Sequence, residues 1–175
     1  HLKRGQLTAI DGVTLTVHRG ETFGLVGESG SGKTATARSV MRLIPIPPGE
    51  VVRGRILFEG SNILEYSPQQ MRELRGKKIA MVFQEPMSAL NPVFTVGKQI
   101  ADALRTNLGI SKKEAKTRVI ELLQLVGIPS PASRYDNYVH EFSGGMRQRV
   151  MLAMALSCNP TFLIADVPTT ALDVT

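Results

Sequence analysis

Cysteine and tryptophan are nearly absent from this chain, and aromatic residues are few. Its 175 residues include one cysteine, Cys158, so no internal disulfide can form and a reducing compartment is expected. The apolar sequence around Cys158 predicts a small buried residue rather than a nucleophile. No apolar run approaches the roughly 20 residues that span a bilayer, so we expect no membrane-crossing segment in this sequence.

Acidic residues are also fewer than basic ones: the chain has 15 aspartates and glutamates and 21 lysines and arginines. The net charge of +6 leaves open an anionic partner, either nucleic acid or an anionic surface, beside the simpler explanation of a solvated basic surface. The basic residues form only short clusters at 72–78 and 112–116, and no aromatic side chains are interleaved with them. A solvated face is therefore favoured, and the sequence argues against nucleic acid as a partner.

The chain does have a glycine-rich turn between an apolar run and a helix pattern. The run 22–26 has strand length, and residues 34–41 have helical character. Between them stands the P-loop pattern G-x-x-x-x-G-K-[ST], in the strand–turn–helix context that it requires. The turn consists of Gly27, Glu28, Ser29, Gly30, Ser31, Gly32, Lys33 and Thr34.

Each residue type in this turn suits a phosphate. Glycines let successive backbone N–H groups curl around an anion, and the helix N-terminus adds a favourable dipole. Lys33 supplies a mobile cation for the outer phosphates, and the Thr34 hydroxyl suits Mg²⁺. The sequence therefore predicts a nucleotide-binding site.

Hydrophobic periodicity and turn residues predict the remaining elements. Strands are expected at 9–17, 22–26, 54–60, 78–83 and 161–166, and helices at 34–41, 67–74, 111–126 and 143–157. The first two strands, joined by a turn at 19–21, should form an antiparallel hairpin. Residues 85–157 are mostly helical and resemble an insertion between two core strands.

Two polar side chains follow apolar strands. Gln84 ends the run 78–83, and Asp166 ends the run 161–165. Ligands of open α/β sheets lie beyond the carboxyl ends of strands, so both residues are placed to reach a site. In a P-loop protein, a carboxylate such as Asp166 anchors the second ligand sphere of Mg²⁺.

A second candidate anion site begins at Ser143. Ser143 is a good N-cap, but Gly144 and Gly145 follow it, and glycine costs a helix about 1 kcal/mol relative to alanine. Close approach of the backbone to another group would explain that cost, and an exposed helix N-terminus can bind an anion. A plain helix start is the alternative.

With these motifs present, the sequence resembles the ATP-binding subunit of an ABC transporter. The family's motifs appear in order: Walker A at 27–34, the Q-loop at Gln84, the signature at 143–146, Walker B at 162–166 and the D-loop at 171–173. The segments Gln84 to Pro92 and His140 to Arg149 resemble the branch that imports oligopeptides, dipeptides or nickel.

The resemblance implies an α/β fold, with a P-loop NTPase core of RecA type, an antiparallel β lobe and a helical subdomain. It implies a nucleotide-binding core at 1–84, a helical subdomain at 85–157 and a return to the core at 158–175, truncated on the C-terminal side. It also implies a second ATPase subunit, permease subunits and a separate solute-binding protein as partners. The expected location is the cytoplasmic face of the cell membrane, as a peripheral protein.

The resemblance further implies ATP and Mg²⁺ as cofactors. Residues 27–34 would hold the phosphates, Thr34 and Gln84 would contact Mg²⁺, and Asp166 would anchor its shell. The signature residues would touch ATP bound to the partner subunit. These residues are Ser143, Gly144, Gly145 and Met146, with Asp173 in the D-loop.

One departure from the family pattern affects the chemistry directly. Val167 stands where the family has a glutamate that acts as general base. Losing a general base typically costs about 10²–10⁴ in rate, so hydrolysis by this chain is expected to be impaired. Three functions therefore stay open: an importer ATPase, a non-hydrolysing nucleotide switch in an asymmetric pair, and an ABC ATPase acting on nucleic acid.

Overall fold

The computed structural model describes residues 8–47, 49–84 and 89–166. Its contacts divide the chain into two compact units, at 1–64 and 65–175. The first unit contains α1 (Lys33–Val40), β1 (Leu57–Phe58) and β2 (Ser61–Asn62). The second contains α2 (Pro68–Leu74), β3 (Ile79–Val82), α3 (Val96–Leu108), α4 (Lys112–Leu125), α5 (Pro131–Arg134), α6 (Gly144–Leu156) and β4 (Phe162–Ala165).

In the first unit, a tight hairpin replaces the predicted strand at 54–60. Leu57 pairs with Asn62 and Phe58 pairs with Ser61, in antiparallel register. The two residues between the strands, Glu59 and Gly60, both have positive φ, at 48° and 82°. Two central residues with positive φ suit the short turns that match strand twist, so the chain reverses here instead of continuing as one strand.

The predicted strands at 9–17 and 22–26 are wrong for this structure. The turn between them forms, with the Glu21 N–H donating to the His18 carbonyl at 3.1 Å, but no ladder joins the two arms among the described residues. Val13 and Val26 are 54% and 94% exposed. Strand preference largely reflects packing and pairing, so the alternating pattern alone does not make a strand.

The second unit contains a parallel pair of strands. β3 and β4 run in register from Ile79 opposite Phe162 to Val82 opposite Ala165. Every residue of β3 is buried, as its all-apolar sequence predicts. β4 alternates between half-buried and exposed residues, because among the described residues it pairs with β3 alone.

A helical core occupies the rest of this unit. Helices α3, α4 and α6 pack around buried aliphatic side chains, including Ile100, Leu104, Val119, Leu122 and Val150. The predicted helix at 111–126 is confirmed as α4, with Ser111 and Glu114 forming its capping box. Ser67 caps α2 as predicted, and Cys158 is buried as predicted.

Candidate nucleotide-binding site

The glycine-rich turn and the helix that follows it form as the sequence predicts. The Ser31 N–H donates to the Glu28 carbonyl at 3.2 Å, which closes the turn. Gly32 is the N-cap of α1 and has φ of +92°, a conformation that side chains disfavour. A Cβ on Gly32 would also lie 3.1 Å from the Ala9 carbonyl oxygen. The backbone conformation therefore favours glycine at this position, and the close Ala9 carbonyl adds to that preference.

Lys33 folds back over this turn. Its Nζ donates to the carbonyl oxygens of Gly27 and Glu28, both at 2.7 Å, and lies 3.3 Å from the Ser31 hydroxyl. The ammonium group thus lies above the loop that the sequence assigns to phosphates. A phosphate oxygen is a stronger partner for an ammonium than a neutral carbonyl, so an anion could replace these contacts.

The N-terminus of α1 suits an anion. No side chain caps it, and no acidic residue lies in its first turn. The N–H groups at the start of a helix have no partner within the helix, and the helix dipole favours negative charge there. The turn, the cation and the helix start together provide the features of a phosphate site.

In the second unit, β3 and β4 bring Gln84 and Asp166 to the same sheet edge. The Asp166 N–H donates to the Val82 carbonyl at 2.9 Å, and Gln84 lies two residues beyond Val82. Gln84 is exposed and Asp166 is half-buried. The carboxyl-end placement predicted for both side chains is thus observed, while their proposed roles remain predictions.

The predicted signature segment begins α6, and the first residues of the segment are exposed to solvent. The Ser143 hydroxyl accepts from the Met146 N–H at 3.4 Å, so Ser143 is the N-cap of α6 as predicted. Gly144 and Gly145 are exposed, and a Cβ on either would meet nothing within 4 Å. Packing within the described residues therefore does not require glycine at these two positions.

Sequence reasoning missed two side chains that hold the turn before this helix. The Glu141 carboxylate accepts from the Tyr138 N–H at 2.5 Å and from the Asn137 amide at 2.8 Å. Arg147 donates to the carbonyls of Val139 and His140, at 3.0 and 3.3 Å. The three-residue spacing from Tyr138 to Glu141 gave a weak signal for the first contact. No sequence pattern indicates the second.

Two candidate residues, Val167 and Asp173, lie outside the described residues. Within the described ranges, no group of three His, Cys, Asp or Glu side chains could hold a metal ion. A Mg²⁺ site here would instead draw on hydroxyl, amide and phosphate oxygens, which suit that ion. In the same ranges, none of the helices has the length and apolar character needed to cross a membrane.

Comparison with known proteins identifies the family. The sequence model of a family described as "ABC transporter" matches residues 10–170. The chain belongs to the ABC transporter family. It is 56% identical over 171 residues to the oligopeptide transport ATP-binding protein OppD of Bacillus subtilis, covering 98% of this chain and 48% of that protein. It is 52% identical over 171 residues to the dipeptide transport ATP-binding protein DppD of the same organism, with coverage of 98% and 51%.

Solved ABC cassettes share its fold. A dimeric MJ0796 cassette, in a post-hydrolysis state bound to ADP and Pi, superposes with a TM-score of 0.82 at 27% identity, covering 95% of this chain and 68% of that one. The α/β fold of the P-loop NTPase type is thus confirmed, as is the resemblance to ATP-binding subunits of peptide importers. This ABC chain spans about half the length of the curated relatives that it matches.

Proposed function

We propose that this chain is the nucleotide-binding part of a subunit that uses ATP to drive import of peptides or related small solutes. The observation that carries the proposal is the glycine turn at 27–33, with the Lys33 ammonium above it and α1 without a side-chain cap behind it. The names of relatives at 52–56% identity support peptides as cargo. Import activity belongs to the whole protein and its partners.

Each side chain in the proposed site has a specific task. Residues 27–34 bind the phosphates through backbone N–H groups, and Lys33 neutralises the outer phosphate charge. The Thr34 hydroxyl and the Gln84 amide would provide oxygen ligands for Mg²⁺, and Asp166 would orient its shell. Bound Mg²⁺ would offset charge on the phosphates. These residues suit Mg²⁺ because they offer oxygen atoms, and Gln84 and Asp166 lie at one sheet edge.

A second subunit completes the proposed site. Ser143, Gly144, Gly145 and Met146 of one subunit contact ATP held by Walker A of the other. The exposure of the first three of these residues and the open space above both glycines support this role. The MJ0796 relative was solved as a dimer, which also supports pairing. Asp173 would belong to the D-loop of the same interface.

The proposed architecture follows the resemblance. Residues 1–84 form the nucleotide-binding core, 85–157 a helical subdomain, and 158–175 return to the core. Permease subunits and a separate solute-binding protein complete the importer. The ATPase would bind to the cytoplasmic face of the membrane through the permease.

Val167 supports a second candidate, a non-hydrolysing nucleotide switch. A valine cannot accept a proton from water, so turnover at the proposed site is slow. In this second candidate the site still binds ATP, and bound ATP holds the dimer closed. Removal of a general base typically lowers the rate by about 10²–10⁴. The partner subunit would then supply most of the hydrolysis.

The test compares the full-length protein with its Val167→Glu variant, each mixed with a partner ATPase whose own hydrolysis has been abolished. We expect equal Mg²⁺-ATP affinity and a phosphate-release rate that glutamate raises by at least about 10²-fold. Equal release rates would rule out the impairment. No Mg²⁺-ATP binding by either protein would rule out both candidate functions. A Lys33→Ala variant is the control for binding at the predicted turn.

A further inference from the structure

The structure assigns Arg147 as the positioning residue of the signature turn, the segment 138–146 that precedes and begins α6. Arg147 belongs to α6, and its side chain binds the segment that leads into this helix. Its guanidinium donates from Nε to the Val139 carbonyl at 3.0 Å and from another nitrogen to the His140 carbonyl at 3.3 Å. This inference rests on the proposed function, in which Ser143 to Met146 contact the partner's ATP.

The planar guanidinium links α6 to the segment that precedes its N-cap. Arg147 lies on the second turn of α6, whereas Val139 and His140 lie before the N-cap. One rigid group holding two successive carbonyls fixes both the position and the direction of the chain at that point. Lysine has a single ammonium on a flexible stem and cannot reproduce this paired geometry.

The segment between the two ends of this contact is short and well anchored. Phe142 is 2% exposed and belongs to the helical core, and Ser143 follows it directly. Glu141 holds the start of the turn through the Tyr138 N–H. With Glu141 at one end and Arg147 across the turn, the backbone groups at Ser143, Gly144 and Gly145 are held at the surface in one orientation.

Gly144 and Gly145 make this support necessary. Neither has side-chain packing, and glycine has the largest backbone freedom of any residue. A binding surface made of backbone N–H groups works best when those groups are fixed before the ligand arrives. Arg147 provides that fixation without itself touching the nucleotide.

The same helix offers a matched control. Arg149 also donates to a backbone carbonyl, that of Gly127 at 3.0 Å, but Gly127 lies just after α4 and outside the signature turn. Arg147→Met and Arg149→Met each remove one guanidinium from α6 and keep an apolar side chain. Only the first variant frees the signature turn. Arg147→Lys is the conservative variant.

Two measurements on the full-length protein test the inference. The first is amide hydrogen exchange without nucleotide, in which Arg147→Met should accelerate exchange at 138–146 and Arg149→Met should not. The second is ATP-dependent dimerisation. Arg147→Met should need at least about tenfold more ATP, because its signature turn must then be ordered when the dimer forms. Arg147→Lys should fall between wild type and Arg147→Met.

A purely structural role of Arg147 would also weaken ATP binding by the single subunit. Under the inference, that affinity depends on the subunit's own Walker A turn and should be unchanged in Arg147→Met. The inference is overturned by unchanged exchange at 138–146, by dimerisation at the wild-type ATP concentration, or by an equal effect of Arg149→Met. If wild type itself does not dimerise with ATP, the proposed function fails. Altered exchange in Arg147→Met would then show the positioning role alone.

Discussion

The main-chain N–H of Asp166 donates to the carbonyl oxygen of Val82 at 2.9 Å. This single bond continues the parallel pairing of β3 and β4 by one residue beyond Ala165. It places the Asp166 carboxyl and the Gln84 amide beyond the ends of adjacent strands. Backbone pairing thus brings these two candidate Mg²⁺ groups to one sheet edge.

Asp166→Asn should therefore weaken Mg²⁺ binding without unfolding the sheet. The bond to Val82 comes from the backbone and survives the substitution, so β3 and β4 should stay paired. Loss of the negative charge should weaken Mg²⁺-dependent ATP binding by about tenfold or more. Isothermal titration of the full-length protein with ATP, with and without Mg²⁺, measures this effect.

Asp102→Asn is the control for removing a carboxylate. Asp102 lies on α3 and makes solvent-exposed ion pairs with Lys98 and Arg105, at 2.8 and 3.8 Å. Exposed pairs contribute only about 0–1 kcal/mol, so this variant should keep both stability and Mg²⁺ binding. Equal loss of Mg²⁺-ATP affinity in both variants would contradict the assignment of Asp166.

Gly144→Ala should stabilise the fold while impairing nucleotide-dependent dimerisation. A Cβ at this position meets nothing within 4 Å, and alanine is the better helix former. We expect a gain of about 0.5–1 kcal/mol in the free energy of unfolding, measured with urea. We also expect a higher ATP requirement for dimerisation, because the methyl group lies where the partner's phosphate should approach.

Gly109→Ala tests the effect of alanine at a glycine whose backbone has positive φ. Gly109 ends α3 with φ of +68° and also has open space around its Cβ position. Alanine there should destabilise the fold by about 1 kcal/mol, because L residues disfavour that conformation. Gain of stability at Gly109 or normal dimerisation of Gly144→Ala would each refute part of the explanation.

Ser111→Ala should raise the pKa of Glu114 towards its ordinary value. The hydrogen bond from the Ser111 side chain is the main cause that lowers the pKa of this carboxyl, and the Ser111 N–H bond adds to the effect. A lowered folded-state pKa stabilises the protein above the unfolded pKa of about 4.3, and this stability is lost as pH falls through the folded value. NMR titration of the Glu114 carboxyl in both proteins measures the change.

The pH dependence provides a second check on the same cap. Between neutral pH and about pH 5, Ser111→Ala should be less stable than wild type. Below the folded pKa of Glu114 the difference should shrink, because protonation removes the carboxylate from the capping box in both proteins. A stability difference that stays constant down to pH 2 would mean that Glu114 does not contribute through its charge.

Gln99→Leu should loosen the loop that leads into α3. The Gln99 side-chain oxygen accepts from the Asn91 N–H at 2.9 Å, while its nitrogen donates to the Asn91 and Phe94 carbonyls at 2.9 and 3.0 Å. Losing these bonds should cost about 1–3 kcal/mol in unfolding free energy. Urea unfolding and faster amide exchange at 91–94 would report it. The exposed Gln124 on α4 serves as control, since Gln124→Leu should change stability by less than about 0.5 kcal/mol.

Local signals predicted α1, α2, α4 and α6 and the caps at Ser67, Ser111 and Ser143, because those interactions are local, but α3 and α5 were not predicted individually. Ser111 with Glu114 and Ser67 with Gln70 are bonded over three residues, so a short stretch of sequence contains the whole interaction. The failure at 9–17 and 22–26 has the opposite cause. The first segment alternates and the second is an apolar run, but a strand also needs a paired neighbour, and Val13 and Val26 are 54% and 94% exposed.

The sequence by itself determined the order and chemistry of the motifs: the glycine turn with Lys33, the polar ends Gln84 and Asp166, and the cap at Ser143. Residue type and spacing suffice for these, since each motif lies within a few consecutive residues. Only the tertiary structure decided that Gln84 and Asp166 share one sheet edge and that Arg147 holds the turn before its own helix. Such contacts depend on strand register and on chain reversal, and neither is encoded in a local pattern.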